Sequence, residues 1–133
     1  MPSWRPPHAY VPRKTPRHPE ELFDDIKATA DRIELSDIVT CQAWKSGLDF
    51  LADGYFWEAH EVLEAVWLAC PPNAPEKLMV QAVIQTANAK LKKVMGREKA
   101  CQRLKDEARR LSREAVLRAR SPVLGINSLD DVI

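Results

Sequence analysis

The chain has 133 residues and a formal net charge of +1 at pH 7, with 45% hydrophobic and 29% charged residues. This length suits one domain with a hydrophobic core, and the near-neutral charge excludes a global field that would attract nucleic acid. No apolar run approaches the roughly 20 residues of a membrane span, and the N-terminus lacks the apolar segment of a secretory signal.

Residues 1–35 are predicted to form an extended, Pro-rich arm followed by a short acidic segment. Residues 1–19 hold six of the ten prolines, and all their charged side chains are positive. Proline removes a backbone donor and disfavours helix, so we expect extended backbone here. Trp4 and Tyr10 leave two alternatives, a free tail or an arm that lies against the domain or a partner. Residues 20–35 have the composition of a short helix but a poor apolar periodicity.

Residues 36–125 are predicted to form the helical domain, an all-α compact bundle of about four main helices. Apolar residues recur at steps of three and four, the spacing of one helical face. Gly and Pro residues separate the stretches. Helices joined by such short loops pack as a bundle. The predicted helices run from Ser36 to Gly54, from Tyr55 to Ala69, from Pro75 to Met95 and from Arg97 to Arg120.

The second predicted helix carries a dense group of titratable residues. Three glutamates and a histidine lie within seven positions and are surrounded by aromatic and aliphatic residues. Burying an unpaired charge is costly, so this stretch is predicted to be either a buried polar network or a site. Glu64 follows His60 by one helical turn, which places the two side chains within reach of each other.

The third predicted helix adds a row of amides. Gln81, Gln85, Asn88 and Lys92 repeat at steps of four, three and four on an otherwise apolar helix. Buried amides need hydrogen-bond partners, so we expect this row to face the acids of the second helix. The candidate polar or ligand site therefore comprises Glu58, His60, Glu61, Glu64, Trp67, Gln81, Gln85 and Asn88.

Three interpretations of this cluster remain open. The first is a structural network in which His60 donates to Glu64 and fixes the helix register. The second is a divalent metal site with His60, Glu61 and Glu64 as ligands, a spacing similar to an HExxH motif whose second His is replaced by Glu. The third is acid–base chemistry by His60 tuned by Glu64.

Three other groups of residues favour simple structural roles. Residues 97–120 contain nine Lys or Arg against four Asp or Glu, and without a recognition motif this favours a solvated outer face over a nucleic-acid contact. His8 and His18 lie among prolines and are expected to be solvated. The three cysteines form no CxxC pair, which disfavours a disulfide framework or zinc knuckle and favours a reducing cytoplasm.

Two sequence blocks resemble the prokaryotic family known as domain of unknown function 309. One runs from Trp44 to Trp67 and contains Glu-Ala-His-Glu between aromatic residues; the other runs from Val80 to Lys92 and is followed by Gly96. The resemblance implies a small all-helical domain from bacteria or archaea and implies no reaction. It marks as family-typical Glu58, His60, Glu61, Glu64, Trp67, Gln81 and Gln85.

The sequence therefore predicts an uncharacterised small helical protein with a small-ligand or metal-binding site, with or without hydrolytic activity. The ligand is not identified by any motif. The alternative is a non-enzymatic interaction or structural module in which a helix face containing Trp57 and Leu68 joins a partner or a second copy, giving a homodimer in the latter case. We expect neither a membrane nor a nucleic-acid partner.

Overall fold

The computed structural model describes residues 4–132, so residues 1–3 of the predicted arm lie outside the described chain. Within this range the fold is all-α with no strand, which confirms the predicted fold class. No described helix is long and apolar enough to cross a membrane. The helices are α1 (Asp24–Ala28), α2 (Gln42–Ala52), α3 (Phe56–Ala69), α4 (Pro75–Val94) and α5 (Glu98–Ala119), with 3₁₀ turns at Leu35–Thr40 and Leu129–Asp131.

Seven of the eight predicted helix boundaries are confirmed within two residues. Pro75 occupies the first turn of α4, where its missing amide hydrogen costs no hydrogen bond. Gly54 follows α2 with a φ of 90°, and Gly96 follows α4 with a φ of 79°. Glycine adopts this left-handed backbone without steric penalty, so the chain reverses direction at these two positions.

The prediction of one continuous helix from Ser36 is wrong. Residues Leu35–Thr40 form a 3₁₀ turn, and Cys41 is extended with φ −70° and ψ 135°. The helix α2 starts only after this break. The Oγ1 of Thr29 accepts a hydrogen bond from the amide of Ala43 at 3.0 Å, which satisfies a donor that the N-cap side chain leaves free. A cap supplied from outside the helix is invisible to a local sequence pattern.

The helix α4 lies between α3 and α5 and contacts both. Its apolar residues are therefore buried on more than one side, which explains why apolar residues predominate between Leu78 and Leu91. The residues of α4 that are fully buried are Met79, Val80, Ala82, Val83, Ala87 and Ala89. Cys41, Cys70 and Cys101 are also buried and carry free thiols.

Close packing of α2 on α3 depends on Gly47. A Cβ atom at this position would overlap the side chain of Leu63, which is itself fully buried. A glycine inside a helix costs roughly 1 kcal/mol relative to alanine. Here the missing side chain lets the two helix backbones approach closely.

The described part of the arm lies against the helices, so the free-tail alternative is excluded for it. The ring of Trp4 meets the edges of Phe23 and Phe50, with centroid distances of 6.0 and 6.2 Å. Tyr10 is 8% exposed and packs against Trp57 with a centroid distance of 5.1 Å. These edge-to-face contacts fix the arm beside the short helix α1 and the start of α3.

Candidate functional site

His60, Glu61 and Glu64 lie together on the half-exposed side of α3. One ligand atom from each residue lies within 4.8 Å of the others. The Nε2 of His60 is 3.2 Å from Oε2 of Glu64, and their side chains are 26% and 52% exposed. The predicted metal-ligand set is thus brought to one place that is open to solvent. We call these three residues the α3 cluster.

The imidazole of His60 is oriented by the backbone. Its Nδ1 lies 3.3 Å from the carbonyl oxygen of Trp57, and this oxygen can only accept a hydrogen bond. Nδ1 therefore carries the proton and Nε2 faces the carboxylate of Glu64. A proton or a cation at Nε2 is needed to make that second contact favourable. A backbone carbonyl on the other ring nitrogen is also the usual support of a metal-ligating histidine.

Glu61 has a counter-charge from a different helix. Lys27 of α1 forms an ion pair with Oε1 of Glu61, and the two side chains are 30% and 25% exposed. This contact links α1 to α3. A metal ion bound at Glu61 would have to displace or share this ammonium group.

Glu58 points away from the α3 cluster and toward the arm. Its side chain is fully buried, and its Oε2 accepts hydrogen bonds from the amide of Tyr10 at 2.6 Å and from Nε2 of His18 at 2.7 Å. The sequence missed His18, whose side chain is only 1% exposed and was expected to be solvated. The sequence feature that could have indicated this contact is Glu58 itself, because a carboxylate predicted to be buried requires a hydrogen-bonding or charged partner.

Two atoms of this buried pair have no protein partner. Oε1 of Glu58 and Nδ1 of His18 are buried and make no hydrogen bond in the described structure. A pocket of about 160 Å³ lies beside His18, between the arm and α3. We call it the arm pocket; its lining includes Tyr10, Arg17, His18, Glu20, Phe23, Trp57 and Glu61.

The remaining predicted site residues do not join the α3 cluster. Within residues 4–132 no hydrogen bond connects the cluster to the amides of α4; Asn88 instead donates to Gln85 at 3.3 Å, and Gln81 is half-buried. The ring of Trp67 is covered by Lys77, whose Nζ lies 3.9 Å from the ring centroid. The core that α3 and α4 share is built from apolar side chains, which keeps the amide row at the edge of the contact.

The basic helix α5 has an outer face with internal ion pairs. Arg110 contacts Glu107 at 2.7 Å and Glu114 at 3.6 Å, and Arg118 contacts Glu114 at 2.7 Å. The hydrogen bond from Arg110 lowers the pKa of Glu107. These exposed pairs at helical spacing are those of a solvated helix face.

Comparison with protein families confirms the resemblance drawn from the sequence motifs. Residues 44–104 match the family described as domain of unknown function (DUF309). Comparisons with curated proteins and with solved structures found no match for this chain. The matched segment contains α3 and α4 and therefore the whole α3 cluster. Over these residues the chain is similar to the domain of unknown function DUF309, whose description names no reaction.

Proposed function

We propose that this protein binds a divalent transition-metal ion, zinc or manganese, through the α3 cluster. The observation that carries the proposal is the presence of three ligand atoms within 4.8 Å of one another. One imidazole and two carboxylates suit these ions. The spacing His60, Glu61 and Glu64 supplies them from little more than one helical turn, so forming the site needs side-chain adjustment and no backbone change.

The half-exposed position of the cluster supports a role beyond structure. Three protein ligands leave a coordination position for water or a small ligand. Metal-bound water is the nucleophile of hydrolytic metal sites. We therefore propose hydrolysis of a small molecule as the reaction class. We also place the protein in a reducing cytoplasm, because its three buried cysteines are free thiols; the resemblance to a prokaryotic family is the ground for placing it in a bacterium or archaeon.

Metal titration of the purified chain tests the proposal. After chelator treatment, we expect calorimetry to show one zinc or manganese ion per chain and thermal unfolding to shift upward. Saturation at about 100 times the dissociation constant adds about 2.7 kcal/mol of stability. The His60→Ala variant is expected to lose the ion. Absence of a stoichiometric ion together with an unchanged unfolding temperature would rule the proposal out.

The stability of His60→Ala and one further variant, Lys27→Met, separate a metal site from a structural network. His60→Ala is expected to cost less than about 1 kcal/mol without metal, because the pair with Glu64 is half-exposed; a structural network predicts about 2–4 kcal/mol. Lys27→Met removes the ammonium that competes at Glu61, so we expect metal binding to tighten about two- to five-fold. Glu107→Gln on α5 is the control, and it should change neither quantity.

A second candidate function is self-association, supported by the exposure of Leu68. This side chain is 68% exposed beside a depression formed by α3, the end of α1 and the turn that follows α1. The patch expected from the sequence is only partly available, because Trp57 packs against Tyr10 and Phe23. We therefore propose the Leu68 face alone as the surface of a homodimer.

A further inference from the structure

We infer that the arm pocket is a binding site for a small organic ammonium ion with an apolar group about one ring in size. Its polar groups do not overlap with the α3 cluster except at Glu61. The inference rests on the hydrogen-bonding capacity, the charges and the size of the pocket, and it does not require a bound metal.

The first support is the free ring nitrogen of His18. Nε2 donates to Glu58, whose Oε2 also accepts the amide hydrogen of Tyr10. In the neutral ring Nδ1 is then an acceptor, and it has no protein partner although the side chain is 1% exposed. A buried acceptor without a partner is costly. A ligand that brings an N–H donor to it removes that cost.

The second support is the charge around the pocket. Glu20 and Glu61 both line it, and the buried carboxylate of Glu58 lies directly behind His18. The cationic residue in the lining, Arg17, is exposed and donates to the hydroxyl of Tyr10 at 3.3 Å. Glu61 keeps Lys27 as its counter-ion, so Glu20 and the acceptor nitrogen of His18 are the groups that favour a positively charged ligand over an anion.

The third support is the aromatic wall and its dimensions. Tyr10, Phe23 and Trp57 line the pocket, and aromatic faces attract ammonium groups. The volume is about 160 Å³, close to the roughly 150 Å³ of an engineered protein cavity that binds benzene. A single ring with an attached ammonium group is thus a suitable size.

Three probes of matched size and different charge test the inference. Benzylamine, benzyl alcohol and benzoate are titrated into the full, metal-free chain while NMR follows the indole of Trp57 and the ring of His18. We expect saturable shifts with benzylamine and binding of benzyl alcohol that is about five- to ten-fold weaker, the effect of about 1 kcal/mol of lost charge interaction. Benzoate is expected not to bind.

Variants connect the result to the pocket. Glu20→Gln changes an exposed side chain, so the fold should persist while benzylamine affinity falls about five-fold. Glu107→Gln on α5 should leave affinity unchanged. Glu64→Gln removes a proposed metal ligand outside the pocket, so benzylamine binding should survive in it even where metal binding is lost.

Two results would overturn the inference. The first is benzoate binding as tightly as benzylamine, which would show that His18 and Arg17 act as donors to an anion. The second is a benzylamine response that is absent, or that Glu20→Gln leaves unchanged. Neither result bears on the metal proposal, which is tested by His60→Ala and metal titration.

Discussion

At the scale of single residues, Glu58 holds the arm and α3 together. One carboxylate oxygen accepts hydrogen bonds from the backbone of Tyr10 and from the side chain of His18. Charge-assisted hydrogen bonds are about twice as strong as neutral ones. Because Glu58 is fully buried, removing it would strand two donors away from water.

Glu58→Ala is therefore expected to destabilise the chain by about 3–5 kcal/mol, the usual cost of breaking a buried pair on one side. Urea unfolding followed by circular dichroism measures this loss. Glu64→Ala on the same helix is the control; its side chain is 52% exposed, so its cost should stay below about 1 kcal/mol. Equal losses for the two variants would contradict the assigned role of Glu58.

Cys70 provides a test that depends on pH. Burial raises the pKa of its thiol above the ordinary value of 9.0, although the charge of Lys77 opposes the shift. At a pH between the ordinary pKa of the unfolded thiol and the raised pKa of the folded one, the folded chain keeps a proton that the unfolded chain has lost. Stability is thus expected to fall as the pH rises through this window, starting near pH 9, and to fall less in Cys70→Ala.

Alkylation by iodoacetamide with peptide mapping measures the same property directly. The thiolate is the reactive form, so Cys70 in the folded chain should react slowly at pH 8. The chain unfolded in urea is the control, in which Cys70 should react at the rate of an ordinary thiol. Equal rates in the two states would show that burial does not protect this thiol.

At the scale of helices, the contact between α2 and α3 determines where the α3 cluster lies. Gly47 allows Leu63 to fill the space against the α2 backbone. His60, one turn before Leu63, lies at the edge of this packed face and keeps 26% of its side chain exposed. The core packs one face of α3 while the short helix α1 reaches its flank through Lys27. Helix packing therefore selects which carboxylates meet solvent.

Gly47→Ala is expected to destabilise the chain by about 1–3 kcal/mol, because the new Cβ would overlap Leu63 in a packed core. Alanine has the higher helix propensity, so a loss of stability can only come from packing. Thermal or urea unfolding checks this, with Lys45→Ala on the exposed side of α2 expected to stay within about 0.5 kcal/mol. A stabilised Gly47→Ala variant would show that the two helices do not approach closely.

At the scale of the whole molecule, the arm and the helices together form the arm pocket. Its aromatic wall combines Tyr10 from the arm with Phe23, which directly precedes α1, and Trp57 from α3. The same packing covers Trp57 and leaves Leu68 as an exposed apolar residue of α3. The self-association proposal therefore rests on the Leu68 end of this helix.

Leu68→Glu is expected to dissociate the proposed homodimer, since it puts a charge in an apolar contact. Light scattering across micromolar concentrations measures the mass. Leu117→Glu on α5 is the matched control, as Leu117 is 75% exposed on a different helix and should leave the mass unchanged. A wild-type monomer at all these concentrations would remove the self-association proposal.

The fold could be predicted largely from local sequence patterns. Apolar spacing, Pro75 and the glycines at positions 54 and 96 are local signals, and the helices α3, α4 and α5 follow them closely. The start of α2 could not be predicted in this way, because its cap comes from Thr29 at a distance of 14 residues. A helix end can be predicted from the local sequence only where the capping group lies nearby in the sequence.

The sequence by itself determined the helices and the proximity of His60 to Glu64, because residues four apart on a helix are always neighbours. Only the tertiary structure decided the partners of the other acids. In the folded chain Glu58 is hydrogen-bonded to His18 and Tyr10, and Glu61 is paired with Lys27. The amides of α4 lie apart from the α3 cluster. The reason is physical: periodicity specifies which side of a helix a residue occupies, whereas the packing of distant segments specifies what that side meets.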